Sequence, residues 1–364
     1  MLPLQFLLTS TLSALILHFL LHFKYEIGLL DKPNQRKVHL SIKACSGGIA
    51  LYLAFMMMNI SLQSDHLPKT FLLCASGIFL MGLWDDYRPL SALLRLFWQL
   101  SLAAIIAFPL AENPALTPGL LFLQHLPFPL VWMLFTLFIV ASTNAFNLMD
   151  GIDGLAGSLA LVVMACLAFC LFLVNDMQAA LLMLAMMAAL VPFLSLNWAP
   201  SKIFMGDSGS MLLGFTIAYG GLRLVQGPMA PVEAYCFQVA VGCFSLPIMD
   251  MLRVFGQRML KGNSPLKPDK THLHHILLKY TNVPQATLTI VAFHTLCILI
   301  CMLLQDFSPW FAILSLVGLY FSMIWTIKRC FQPLASAGPK INTNKKQTVV
   351  NAKYSEIQPS IPNK

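Results

Sequence analysis

Eleven stretches of 16 to 22 mainly apolar residues follow one another along this chain, and that succession leaves little choice of fold. They fall at 3–23, 47–62, 69–84, 91–110, 128–146, 155–174, 177–197, 209–225, 234–255, 287–305 and 309–327. A helix rises 1.5 Å per residue, so about 20 apolar residues cross the hydrocarbon core of a bilayer. Lipid offers the backbone no hydrogen-bond partner, and a helix satisfies its own. The class expected is an all-α polytopic membrane protein with about eleven transmembrane helices, the second and third of them short. Composition agrees, since only 10% of the residues are charged, against about 25% in soluble domains. The first stretch lacks a positive leader and runs directly into Lys24, so it reads as a span rather than a cleaved signal. The nine cysteines show no metal-ligand spacing, and Cys166/Cys170 and Cys297/Cys301 sit four apart inside apolar runs as core residues.

The net charge of +8 would suit a nucleic-acid binder, but its distribution argues for a membrane. One alternate set of polar links comprises 24–46, 85–90, 147–154, 198–208, 256–286 and the tail from Lys328, and it holds 19 of the 23 Lys and Arg residues. The other set, 63–68, 111–127, 175–176, 226–233 and 306–308, holds none. The positive-inside bias places the first set in the cytoplasm and the N-terminus in the periplasm. No nucleic-acid partner is expected; the bilayer is the partner. Residues 1–327 read as one integral membrane domain, and 328–364, rich in Lys, Asn, Gln and Pro, as a flexible cytoplasmic tail.

Carboxylates gather on the same face. Asp31, Asp85, Asp86, Asp150, Asp153, Asp207 and Asp269 all lie in the basic set of links. A carboxylate in lipid costs about 2.5–3.5 kcal/mol on insertion scales, so these groups must face water, protein or a cation. A single one is read as a solvated helix end, but solubility does not ask for the convergence. In `NAFNLMDGIDGLAG`, Asn144 and Asn147 are three apart on one helical face and Asp150 continues the stripe. The glycines around Asp153 allow a tight turn. Amide and carboxylate oxygens suit Mg²⁺, or they cap helices. `FMGDSGS` puts Asp207 at a Gly-rich helix start whose free N–H groups attract anions. Arg95, at the start of the fourth span, wants an anion, with snorkelling to the headgroups as the plainer reading. `KGNSPLKPDKTHLHH` has no apolar period, and its Lys267, His272, His274 and His275 read as a polar rim for phosphate or sugar.

Taken in order, `GLLDKPNQRKVH`, `GLWDDYRPL`, `NAFNLMDGIDGL`, `IFMGDSGS` and `HLHHILL` resemble the motifs of the polyprenyl-phosphate N-acetylhexosamine-1-phosphate transferases, over residues 28 to 278. The resemblance implies a Mg²⁺- or Mn²⁺-dependent enzyme of a bacterial inner membrane with its site facing the cytoplasm. Its donor would be UDP-N-acetylglucosamine, its acceptor undecaprenyl phosphate and its leaving product UMP, the first step of O-antigen or common-antigen assembly within lipopolysaccharide biosynthesis. It implies Asp85, Asp86 and Asp150 as catalytic acids, with Asp85 nearest the lipid phosphate, and Asp207 with Asn147 as the metal site. It further implies Asp153 at the uridine, Arg95 at a phosphate, and Asn144, Lys267, His272, His274 and His275 as substrate contacts. Leu273 splits the histidine cluster and Ile276 follows it, which favours a simple hexosamine donor over a muramoyl-pentapeptide. Another UDP-N-acetylhexosamine donor stays open, and a homodimer is compatible but undecided by the residues. A secondary transporter is the competing class, yet such proteins hold ionisable groups near the bilayer midplane, not at span ends.

Overall fold

The computed structural model describes residues 2–31, 43–61, 69–112, 123, 125–226, 233–265 and 270–330. Eleven helices occupy the eleven expected stretches: α1 (Leu2–His22), α3 (Gly47–Ser61), α4 (Lys69–Tyr87), α5 (Ala92–Glu112), α6 (Phe128–Met149), α7 (Leu155–Leu173), α8 (Met177–Asn197), α9 (Gly206–Val225), α10 (Glu233–Leu260), α12 (Val283–Leu303) and α13 (Pro309–Cys330). Two short helices, α2 (Lys24–Ile27) and α11 (Leu273–Leu277), lie in the links. Of the expected tail, 328–364, the first three residues are the end of α13, and 331–364 fall outside the described residues.

The chain is an all-α polytopic membrane protein, with eight described helices long and apolar enough to cross a bilayer. The three that fall short of the expected eleven are α3, α4 and α9. The first is apolar only over Gly47–Asn59, and α4 carries Lys69, Asp85 and Asp86 at its ends. Protein surrounds α9: nearly every residue from Ser208 to Val225 is buried, against α3, α4, α6 and α7. A helix with protein on all sides needs no lipid-compatible surface, so Gly and Ser replace Leu there. Conversely, α1, α5 and α13 turn Leu7, Leu15, Phe97, Trp310 and Trp325 outward, as a lipid-facing surface should.

Two local features carry structural weight. Pro192 interrupts α8, and a proline frees the carbonyl four residues back. Ser10 of α1 donates its hydroxyl to that carbonyl, Ala188 O, at 2.8 Å, and Ser13 donates to Ala189 O at 2.7 Å. Helix α1 is thereby fastened to α8 where water is scarce. A small sheet, which two- and three-residue strands give no alternation to betray, joins two distant links: β1 (Leu30–Asp31), β2 (Lys43–Cys45) and β3 (Ile203–Phe204). Strand β2 runs antiparallel to β1 and parallel to β3, with Ala44 opposite Ile203 and Cys45 opposite Phe204.

Candidate active site

The links that carry the acids meet at one end of the bundle. There they enclose a cavity of about 570 Å³ lined by, among others, Asp86, Asn147, Asp150, Asp153, Asp207 and His275. Asp31, Cys45, Asn197 and Phe204 complete much of its wall. On the opposite ends of α7–α8 and α9, Asp176 pairs with Arg223 at 2.8 Å.

Asp207 stands in the first turn of α9, and its Oδ1 accepts from the Asn147 amide at 2.8 Å. That amide also donates to Ser210 Oγ at 2.8 Å, so α6 and α9 present their polar groups together. Arg95 lies 3.4 Å from Asp207 Oδ2 and 2.8 Å from Asp85 Oδ2. Burial, above all, and the nearby acids push the Asp207 carboxyl up to about 7. Burial and the charges of Asp207, Asp86 and Asp153 do the same for Asp150, also to about 7. The site thus holds more negative charge than its own cations neutralise.

Asp86 has a role that its sequence position conceals. Its Oδ1 accepts from the Asp207 N–H at 2.7 Å. Its Oδ2 accepts from the Ser208 N–H at 3.1 Å and the Ser208 hydroxyl at 2.7 Å. A carboxylate from α4 therefore caps α9 from outside, doing from 121 residues away what an N-cap residue does locally. This corrects the expectation of free N–H groups at the `GDSGS` helix start, because the anion they hold is the chain's own. Gly206 makes the approach feasible: its φ is +78°, and a Cβ there would lie 2.6 Å from Asp86 Oδ2.

Asp85, expected at the lipid phosphate, is buried and absent from the residues lining the cavity. Its Oδ1 accepts from the Leu90 N–H at 2.6 Å and its Oδ2 from Arg95, so it fixes the α4–α5 turn and aims the guanidinium. Asn144 also stands off the wall, donating to Gln99 Oε1 at 2.6 Å and Val140 O at 2.8 Å. Asp153 lines the cavity while its Oδ2 accepts from the Ser201 N–H at 2.9 Å, which ties the link 198–203 to the `DGIDG` turn. Asn197, unmarked in the sequence, reinforces that tie by accepting from the Gly154 N–H and donating to Ile203 O.

The histidines separate. His275 lines the cavity, whereas His272 and His274 are buried behind it. His272 bonds through Nδ1 to Asp250 Oδ2 at 2.7 Å. His274 fills the space where Gly151 would carry a side chain, and burial, then the neighbouring imidazoles, lowers it to about 3, so it is neutral. Lys267 and Asp269 lie outside the described residues. Sequence reading also passed over Asp250 and Arg253. Their signal was an acid and a base three apart inside an apolar span, where ionisable groups are expensive.

Could these residues hold a divalent cation? Among the described residues no three His, Cys, Asp or Glu side chains are grouped so as to hold a metal ion by themselves. The groups that line the cavity from α9 and α6 are a carboxylate and a carboxamide, Asp207 and Asn147, and burial, then the neighbouring acids, raises Asp150 and Asp207. An open oxygen set of that kind fits Mg²⁺ or Mn²⁺, which keep waters and substrate phosphates in their shell.

Residues 69–225, the stretch carrying α4 to α9 and most of the cavity wall, match the model of Glycosyl transferase family 4. The undecaprenyl-phosphate alpha-N-acetylglucosaminyl 1-phosphate transferase of Yersinia pestis is 34% identical over 265 residues, covering 70% of each chain. The chain belongs to this family. Its Escherichia coli K12 member of the same name is 32% identical over 73% of this chain and 74% of its own. A Bacillus subtilis member, a probable undecaprenyl-phosphate N-acetylglucosaminyl 1-phosphate transferase, is 30% identical over 70% of this chain and 71% of its own. Family membership makes the chain a membrane phospho-sugar transferase acting with a lipid carrier, and most of the cavity-lining residues fall within the matched stretch.

Proposed function

We propose that this chain transfers N-acetylglucosamine 1-phosphate from UDP-N-acetylglucosamine to undecaprenyl phosphate, releasing UMP. The observation that carries the reading is the convergence of Asp86, Asn147, Asp150, Asp153 and Asp207 on one cavity at the link end of an apolar bundle. A nucleotide diphosphate and a lipid phosphate repel each other, and a site for both must supply positive charge and fixed geometry. Mg²⁺ held by Asp207 and Asn147 would screen the donor diphosphate and polarise the phosphorus under attack. Arg95, aimed by Asp85, holds the lipid phosphate next to Asp207. Asp150, its carboxyl raised to about 7 by burial and its neighbours, accepts or returns a proton at the cavity wall. The lipid phosphate oxygen bonds to the β-phosphorus of the donor as the bond to the UMP oxygen breaks. No protein nucleophile is needed, because a phosphate monoester is already one. Asp153 and the link 198–203 close the nucleotide side, and His275 faces the sugar phosphate. Asn144, His272 and His274 stand behind that wall, and Lys267 is kept as a proposed substrate contact.

The inner-membrane location, the cytoplasmic orientation of this end and the single domain 1–327 with its tail are part of the same proposal, supported by the charge asymmetry of the links. The deciding experiment is a panel of UDP-sugars with undecaprenyl phosphate and purified protein in detergent, the lipid product read by mass. N-acetylhexosamine 1-phosphate on the lipid, with equimolar UMP, is the expected result. Release of no nucleotide from any donor would overturn the reading and leave transport as the better one.

A further inference from the structure

Behind the histidine link lies a polar network that no cavity-lining residue belongs to. Asp250 of α10 is fully buried, with a relative exposure of 0%, and each of its oxygens is engaged. Oδ1 accepts from Arg253 Nη2 at 2.7 Å, from the Tyr320 hydroxyl at 2.7 Å and from the Leu273 N–H at 3.0 Å. Oδ2 is left for His272 Nδ1. Arg253 closes the network by donating from Nη2 to Thr271 O at 2.7 Å and from Nε to the Tyr320 hydroxyl at 2.8 Å. Three separate elements, α10, α13 and the link 271–273, are thus tied at one carboxylate. Such a number of donors exceeds what charge neutralisation alone needs, since Arg253 already does that.

A carboxylate on one imidazole nitrogen sets which nitrogen carries the proton and how the ring lies. With Nδ1 given to Asp250, His272 keeps Nε2 buried and, among the described residues, without a partner. Its ring lies parallel to that of His274, 3° between planes and 5.8 Å between centroids. His274 in turn sits 4.3 Å, ring to ring, from His275 on the cavity wall. The His274 ring also occupies the place of the missing Gly151 side chain, in the turn that bears Asp150 and Asp153.

We infer that Asp250 is a positioning residue: through His272 it fixes the row of imidazoles that sets His275 and the `DGIDG` turn in place, with Arg253 and Tyr320 holding the carboxylate. The inference rests on the transferase reading only for its kinetic readout. Partners that orient metal-bound histidines alter activity about 10- to 100-fold. Asp250 orients a ring outside the proposed metal site and should act at the low end, so that Asp250→Asn lowers kcat about 10-fold while the donor KM stays within about twofold. In a His272→Gln background the same change should cost little more, because Asp250 then has no imidazole to orient. Tyr320→Phe, which keeps the ion pair, should lower kcat by a few fold and lose that effect in the same background; it serves if Asp250→Asn does not fold. Amide exchange by mass spectrometry supplies a test independent of turnover. Asp250→Asn or Tyr320→Phe should speed exchange at 150–154 as well as at 271–278. Additive kinetic losses, or unaltered exchange at 150–154 in both variants, would overturn the inference. A wild-type protein that releases no nucleotide would instead count against the transferase reading, with the exchange result still deciding this one.

Discussion

Asp86 and Asp207 are adjacent in space yet do different work, and substitutions separate them. Asp86→Asn keeps one of the two acceptor oxygens for the α9 N–H groups, so its melting temperature in detergent should fall less than that of Asp86→Ala. Asp86→Ala leaves two donors uncapped and should cost roughly 1 kcal/mol, the usual worth of a cap. Equal melting of the two variants would remove the capping role. Asp207→Ala, by contrast, should fold normally and lose turnover by at least about 100-fold, more than outer partners of a metal site cost. Near-wild-type UMP release at ordinary Mg²⁺ would remove it from the metal site. Arg95→Ala should mainly weaken use of the lipid substrate, read as a raised KM for the lipid phosphate with the donor KM unchanged.

Asp150 also leaves a mark on stability. Its folded value, about 7, is raised from 3.8, so folding imposes a cost that is absent below the unfolded value and complete above the folded one. In divalent-free buffer the melting temperature should therefore fall as pH rises from about 4 to about 7. Asp150→Asn should lessen that slope, with Asp207 contributing the remainder, and an unchanged slope would assign it to other groups.

At the scale of elements, polar contacts between helices are confined to the places where backbone groups are freed or ends must meet. Ser10 answers the carbonyl that Pro192 releases, and Ser10→Ala should cost about 0.6 kcal/mol, the mean worth of such a bond between membrane helices. A double variant that also replaces Pro192 by Ala should recover that loss, measured by thermal melting. Helix positions were legible because eleven apolar runs of 16 to 22 residues were separated by polar links. Span status was less legible. The central α9 is wrapped by protein, and its composition reports neighbours rather than lipid. The sheet β1–β2–β3 was invisible, since seven strand residues in separate links carry no periodicity.

For the molecule as a whole, the gathered acids, the described parts of the basic links and the cavity share one end of the bundle. Accessibility labelling of cysteines placed at residues 88 and 202 should report the cytoplasmic side in intact cells. Periplasmic labelling would reverse the orientation and separate the site from a cytoplasmic nucleotide donor.

The sequence by itself determined the solvent of this protein, the number and place of its long helices, and the links on which the chemistry-bearing residues lie. Those follow from local physics: hydrophobic length, charge bias and the cost of acids in lipid act on each segment alone. Only the tertiary structure decided what each polar group does. Asp86 becomes a helix cap, Asp85 the anchor of Arg95, and His272 the partner of Asp250, because each role depends on an atom contributed by a remote segment at hydrogen-bond distance. Spacing along the chain records no such distances.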